Sequence, residues 1–188
     1  FMWNVRTRGV VYALPGSTPL GGPSTMIKGE GDYPIFSRDG KRIIYQTGGG
    51  TKSLKSVKLD GSDERVLATL RNAFRLVPSP DEQWVAFAQA YKVYVAAMPQ
   101  TGKPIELDSK SDNVPSSQLA RDAGINIHWS ADSKKICWTL GDQYFSDELR
   151  ERFKFLDGAP ATLPAVDTVG LPVGLVLKSD APEGKIAF

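Results

Sequence analysis

Hydrophobic and polar positions alternate along this chain in short runs, and three of these runs are copies of one pattern. Each copy has a Ser-x-Asp tripeptide, three further residues, and then a β-branched residue, a variable residue and an aromatic residue. The copies occupy residues 34–45, 76–87 and 127–138. Alternation with a period of two predicts β-strands, and a Ser-x-Asp tripeptide between two strands predicts a tight turn.

The spacing of the copies predicts the architecture. Asp39, Asp81 and Asp132 stand at equivalent positions, at intervals of 42 and 51 residues. A period of roughly 40–45 residues built from short strands is typical of a β-propeller, whose blades are four-stranded antiparallel sheets. The residues after the first two copies supply a third strand (53–59 and 92–97) and a fourth strand (65–68 and 104–107). The fold class is therefore all-β: a partial propeller of about three to four blades with an extended C-terminal segment.

Residues two positions apart on a strand share a face. The face with the β-branched and aromatic residues carries Ile43, Tyr45, Val85, Phe87, Ile136 and Trp138. The opposite face carries Ile44, Ala86 and Cys137. Bulky side chains on one face and smaller ones on the other predict sheets that are packed between neighbouring blades.

The domain limits follow from the same repeats. Residues 1–156 are predicted to form the propeller segment, with a partial blade near 1–30 and blades near 31–70, 71–120 and 121–156. In the partial blade, residues 2–5 and 10–14 can pair as a hairpin, and residues 25–28 supply a further strand. Residues 157–188 are predicted to be a linker and a strand that lead to a missing C-terminal domain. Residues 146–153 fit either a short helix with Ser146 as N-cap or a strand.

The repeats resemble those of TolB-like β-propellers, whose blades carry a P-x-F-S-P-D-G-x-x-I-A-F type of motif. Residues 34–45 follow this motif with Arg38 in place of the second proline, and residues 76–87 keep Ser79-Pro80-Asp81. Residues 127–138 keep Ser130, Asp132, Ile136 and the final aromatic residue. The resemblance covers about residues 10–145. It implies a propeller fold, and it favours the periplasm or secretion over the cytoplasm.

The last thirteen residues, VLKSDAPEGKIAF at 176–188, resemble a junction at which a TolB-like propeller precedes an amidohydrolase domain. This implies a non-catalytic propeller segment of a metal-dependent amidohydrolase, serving domain packing, assembly or access to the hydrolase site. A divalent metal of the zinc type is expected only in the catalytic domain. No residue here corresponds to that family's H-x-H pair, so we assign no catalytic, cofactor-binding or metal-binding residue to this chain.

Two alternatives remain open. The chain could be a TolB-like periplasmic module that binds proteins, or the propeller of a serine peptidase of the prolyl-oligopeptidase type. The expected partners are a catalytic domain of the same polypeptide, other propeller blades, or a second copy of the chain. The basic residues are not clustered and the net charge is +2, so no nucleic-acid partner is expected. The longest apolar stretch, near residues 170–177, is too short to span a bilayer.

Individual residues offer little catalytic chemistry. His128 is the sole histidine, whereas a metal site of the amidohydrolase type needs several imidazoles, so a structural or surface role is expected. Cys137 is the sole cysteine of the sequence, so an internal disulfide is ruled out. We expect its side chain to be buried as a small apolar group. Asp60, Asp63 and Glu64 lack the spacing of a calcium-binding loop and predict a solvated turn.

Two loops also contain residues with candidate binding roles. Gly48, Gly49 and Gly50 precede Thr51 and Lys52 without the order of a phosphate-binding loop, and they predict a hairpin. Residues 108–126 form a polar insertion that lengthens the second repeat. A recognition surface and a tolerated surface excursion explain this insertion equally well.

Overall fold

A computed structural model describes residues 2–3, 11–13, 25–28, 30–110, 112–166 and 170–172. Antiparallel strands dominate this part of the chain, as the sequence predicts. The strands are β1 (Met2–Trp3), β2 (Val11–Ala13), β3 (Thr25–Lys28), β4 (Asp32–Phe36), β5 (Arg42–Thr47), β6 (Thr51–Lys58), β7 (Arg65–Arg71), β8 (Ala73–Pro78), β9 (Trp84–Gln89), β10 (Lys92–Ala97), β11 (Ile105–Leu107), β12 (Ser116–Gln118), β13 (Ile125–Trp129), β14 (Lys135–Leu140), β15 (Gln143–Glu148) and β16 (Leu171–Pro172).

The strands form four sheets, which we call the N-terminal sheet and blades 1, 2 and 3. The N-terminal sheet has the order β1-β2-β3 and contains the predicted hairpin. Blade 1 has the order β11-β7-β6-β5-β4, blade 2 the order β12-β10-β9-β8, and blade 3 the order β13-β14-β15-β16. The fold is thus all-β and built from propeller-type blades.

The sheets stack face to face, and the alternation of side chains explains why. Ile43 and Tyr45 of blade 1 pack with Ile27 of the N-terminal sheet. At the next interface Val85 and Phe87 of blade 2 bury Ile44 of blade 1, and at the last one Ile136 and Trp138 of blade 3 bury Ala86 of blade 2. Each blade therefore presents its bulky face to the preceding sheet, and blades 1 and 2 present their smaller face to the following blade. Packing between neighbouring sheets agrees with the prediction, and the structure adds which face meets which neighbour.

The first strands of the blades, β4, β8 and β13, each lie at one edge of their sheet, and together they form an edge of the stack that we call the inner edge. The Arg75 guanidinium of β8 lies over the Tyr33 ring of β4, and the Trp129 indole nitrogen of β13 donates a hydrogen bond to the Val77 carbonyl of β8 (2.9 Å). Gln46 Oε1 accepts a further inter-blade hydrogen bond from the Leu76 amide (3.0 Å). These contacts fix the relative positions of the three blades.

The prediction that residues 104–107 form the fourth strand of blade 2 is wrong. Strand β11 leaves blade 2 and pairs in parallel with β7, so that it becomes the outer strand of blade 1. Its side chains Ile105 and Leu107 are buried in the core between blades 1 and 2. The chain then returns to blade 2, where β12 supplies the fourth strand. Burial of these two apolar side chains favours pairing of β11 with β7 of blade 1 over pairing within blade 2.

The segment after β15 closes over the interface between blades 2 and 3. Ser146 lies within β15 and is not a helix N-cap; a 3₁₀ helix covers only Leu149–Glu151. Leu149 and Phe153 are buried in the core shared by blades 2 and 3, and the Phe153 ring lies 4.8 Å from that of Trp84. No residue from 152 to 166 belongs to a helix or strand. The assignment of residues 157–188 to a linker and strand that lead to another domain stays a prediction.

Some predictions fall on residues that the structure does not describe. These are the turn at 6–9, the end of the linker at 167–168, and the junction-like segment 176–188. Where the predicted C-terminal segment is described, β16 pairs with β15 of blade 3. Within the described ranges, no helix is long and apolar enough to cross a membrane.

Candidate functional site

The inner edge of the stack has two ends, which we call the turn rim and the bulge rim. The turn rim consists of the three Ser-x-Asp turns and the residue after each, at 37–40, 79–82 and 130–133. The bulge rim consists of the starts of the three first strands, at residues 31–33, 73–75 and 124–126. The Ser-x-Asp motif in the sequence predicts the turn rim. No pattern in the sequence predicts the bulge rim.

The three turns share one hydrogen-bonded structure. In the first turn the Ser37 hydroxyl donates to the Asp39 carboxylate (2.7 Å) and accepts from the Arg42 amide (2.9 Å), while the Asp39 carboxylate accepts from the Lys41 amide (3.0 Å). The turns at Asp81 and Asp132 repeat these contacts. Such hydrogen bonds hold the pKa values of Asp39 and Asp132 below the usual range for aspartate. The aspartates are therefore structural, as predicted.

Neighbouring turns are also joined to each other. The fourth residue of each turn has a left-handed backbone: φ is 69° at Gly40, 60° at Glu82 and 62° at Ser133. The Glu82 carboxylate accepts a hydrogen bond from the Arg38 amide of blade 1, and the Ser133 hydroxyl accepts one from the Asp81 amide of blade 2 (3.0 Å). Glu82 and Ser133 occupy the position that is glycine in the first turn. Their side chains therefore add one hydrogen bond between blades 1 and 2 and one between blades 2 and 3.

Two substitutions at Ser133 should distinguish the effect of the inter-blade hydrogen bond on stability from the effect of backbone strain. Ser133→Ala removes the inter-blade acceptor and keeps a side chain at a left-handed position, whereas Ser133→Gly removes the acceptor and relieves the strain. We expect the alanine variant to be less stable than the glycine variant by about 1 kcal/mol, as measured by urea unfolding. Gly40→Ala, which only adds strain, is the matched control. Equal stability of the two Ser133 variants would contradict this explanation.

A cleft of about 540 Å³ opens on the turn rim between blades 2 and 3. Its walls include the carboxylates of Asp81, Asp132 and Glu148. The two aspartates accept hydrogen bonds from their own turns, and Glu148 binds Arg150 (2.7 Å) and Lys135 (3.5 Å). These three carboxylates are therefore already engaged by protein donors, and a fourth acidic residue, Asp157, also lines the cleft.

His128 and Cys137 are opposite each other in the β13–β14 ladder. His128 is exposed, and its Nδ1 atom lies 2.9 Å from the Asn126 carbonyl oxygen. Cys137 is buried, as predicted, and its thiol contacts the Tyr144 hydroxyl, which raises the pKa of Tyr144. Both residues lie on the face of blade 3 that points away from blade 2, and they form no nucleophile–base arrangement with Asp147, which is on the opposite side of its strand.

The acidic turn after β6 is held by the protein's own donors. Asp60 accepts hydrogen bonds from the Ser62 amide and hydroxyl (2.9 and 2.6 Å). Asp63 binds Arg65 (2.7 Å) and Arg42 (2.8 Å). Glu64 accepts from Tyr45 (2.8 Å) and Lys55 (2.9 Å). These contacts favour the predicted turn over a calcium site.

Asp63 should contribute to the acid sensitivity of the fold. Hydrogen bonds from Arg65 and Arg42 lower the pKa of Asp63 from 3.8 to about 2. A lowered folded-state pKa stabilises the fold above the unfolded-state value, and this contribution is lost as the pH falls from 3.8 to about 2. Asp63→Asn should therefore flatten the pH dependence of the free energy of unfolding in this window, as measured by urea titrations. Asp122→Asn, at another exposed aspartate, is the control, and equal slopes for Asp63→Asn and the wild type would contradict the assignment.

The glycine run at Gly48–Gly50 forms the predicted hairpin between β5 and β6. Gly48 has φ 98°, and a Cβ atom there would lie 2.2 Å from the Thr51 carbonyl oxygen. The Lys52 ammonium donates to the Gly48 carbonyl (2.6 Å), so the lysine supports the turn. Tight backbone packing explains the glycine without a phosphate ligand.

The insertion at residues 108–126 has a structural part. It contains β12, and Leu119 and Ala120 are buried in the core between blades 2 and 3. The Leu119 amide donates to the Val93 carbonyl (2.8 Å). The end of the insertion, at residues 124–126, reaches the bulge rim. A recognition role for the remaining polar residues stays a prediction.

The bulge rim has an irregular backbone in all three blades. The pairing register shifts at Asp32/Ile35 in blade 1, at Ala73/Arg75 in blade 2 and at Ile125/His128 in blade 3. Such bulges change the direction in which side chains point. Aromatic and aliphatic side chains are exposed there: Tyr33 (55%), Phe74 (55%) and Ile125 (60%). Tyr91, in the neighbouring turn between β9 and β10, packs on the Phe74 ring. The exposure of Tyr33, Phe74 and Ile125 on the inner edge makes the bulge rim the best candidate for a binding surface.

Comparisons with known proteins assign the chain to no family. The chain matches no protein-family profile, and no curated protein matches it in sequence. Solved structures with similarity include the β-propeller domain of the Trilobed protease from Pyrococcus furiosus, at 15% identity and a TM-score of 0.41. An oligogalacturonate lyase in complex with manganese is 14% identical, with a TM-score of 0.41. An uncharacterized protein from Listeria monocytogenes EGD-e is 12% identical, with a TM-score of 0.42.

The similar regions cover 64%, 63% and 62% of this chain but only 39%, 35% and 36% of the three solved chains. The chain thus spans well under half the length of the structures that it resembles. The blade assignment itself rests on the strand ladders and the inter-blade cores described above.

The residues present do not fit the metal centre of an amidohydrolase. Among the described residues, no group of three or more histidine, cysteine, aspartate or glutamate side chains could hold a metal ion. His128, the one histidine of the sequence, has its Nδ1 atom next to a backbone carbonyl. We therefore derive no catalytic step through a metal in this chain.

Proposed function

We propose that this chain is the non-catalytic propeller segment of a metal-dependent amidohydrolase, in which it packs against the hydrolase domain, supports assembly or shapes access to the hydrolase site. Two features support the proposal. The first is the resemblance of residues 176–188 to a junction between a propeller and an amidohydrolase domain. The second is the outer face of blade 3, and it carries the structural argument.

The outer face of blade 3 differs from the equivalent faces of blades 1 and 2. Ile44 and Ala86 are each buried by the next blade. The equivalent residue of blade 3, Cys137, is buried but belongs to none of the hydrophobic clusters among the described residues, and its neighbours on this face, His128 and Ser146, are exposed. A sheet face of this kind is suited to contact with a further blade or a neighbouring domain. Its polar side chains fit the polar character of interfaces between domains.

The decisive experiment is the intact mass and peptide map of the native polypeptide from its source. We expect a mass several times 20.5 kDa, and peptides after residue 188 that contain an H-x-H pair. A G-x-S-x-G peptide in a following domain would favour the serine-peptidase alternative instead. A native polypeptide without a following domain would contradict the proposal and favour a module that binds proteins.

A further inference from the structure

We draw no further inference here: the strongest candidate, the patch of exposed aromatic and aliphatic side chains that Tyr33, Phe74 and Ile125 form on the bulge rim, is an apolar surface, and nothing in the part of the chain that the structure describes shows what covers it.

Discussion

Trp138→Ala is expected to destabilise the chain by about 3–5 kcal/mol, the usual loss for truncating a fully buried tryptophan. Trp138 is 1% exposed and stacks on Phe145 with 5.6 Å between ring centroids. A Cβ atom at Gly124 would lie 2.7 Å from the Trp138 ring, so the surrounding residues already approach it closely. Truncation would therefore open a cavity in the core that joins blades 2 and 3.

Urea unfolding of the intact chain measures this effect. Phe155→Ala removes an aromatic ring that is 64% exposed and should change the free energy of unfolding far less. Trp138→Ala should also lower the protection of β13–β15 amides from hydrogen exchange more than that of β5–β7 amides. A free energy within about 1 kcal/mol of the wild-type value would show that the cavity collapses or that blade 3 contributes little to stability.

Asp147→Leu is expected to destabilise the chain by about 3–5 kcal/mol, because it leaves a buried arginine without its counter-charge. Asp147 and Arg152 are each 5% exposed, and the Arg152 Nε atom donates to the Asp147 carboxylate (2.6 Å). Arg152 also donates to the Pro164 carbonyl (3.1 Å), so the pair ties the linker to blade 3.

A double-mutant cycle distinguishes loss of the pair from loss of one charge. Arg152→Met combined with Asp147→Leu should recover most of the stability that Asp147→Leu loses, because no buried charge then remains. The control is Glu106→Gln, which breaks the pair between Glu106 (65% exposed) and Arg71 (77% exposed) and should have no resolvable effect. Additive effects in the cycle would show that the two side chains act independently.

The repeats predicted the blades because local pattern and tertiary structure agree there. Ser-x-Asp sets each turn through contacts within a few residues, and alternation sets which side chains face which neighbour. The parallel pairing of β11 could not be predicted in this way. A strand of three residues carries little intrinsic preference, and its partner depends on cores that form between distant residues.

The candidate site was harder to predict than the fold. Nothing in the composition distinguishes Arg75 from the other basic residues, because its contact with the Tyr33 ring depends on how the blades stack. Glu82 and Ser133 stand where the turn motif has glycine, and only the structure shows that their side chains bind the preceding blade. The Asp147–Arg152 pair lies in a segment whose sequence fits a helix or a strand equally well.

The pairing of β11 with blade 1 also means that a sequence repeat and a blade have different boundaries. A gene segment that starts and ends at successive Ser-x-Asp motifs would encode one repeat in sequence but not one sheet in space. Removing residues 71–120 would delete blade 2 and also take away Ile105 and Leu107, which complete the outer edge of blade 1. A segment that encodes blade 1 with its complete outer edge must therefore extend to Leu107 and so includes most of blade 2.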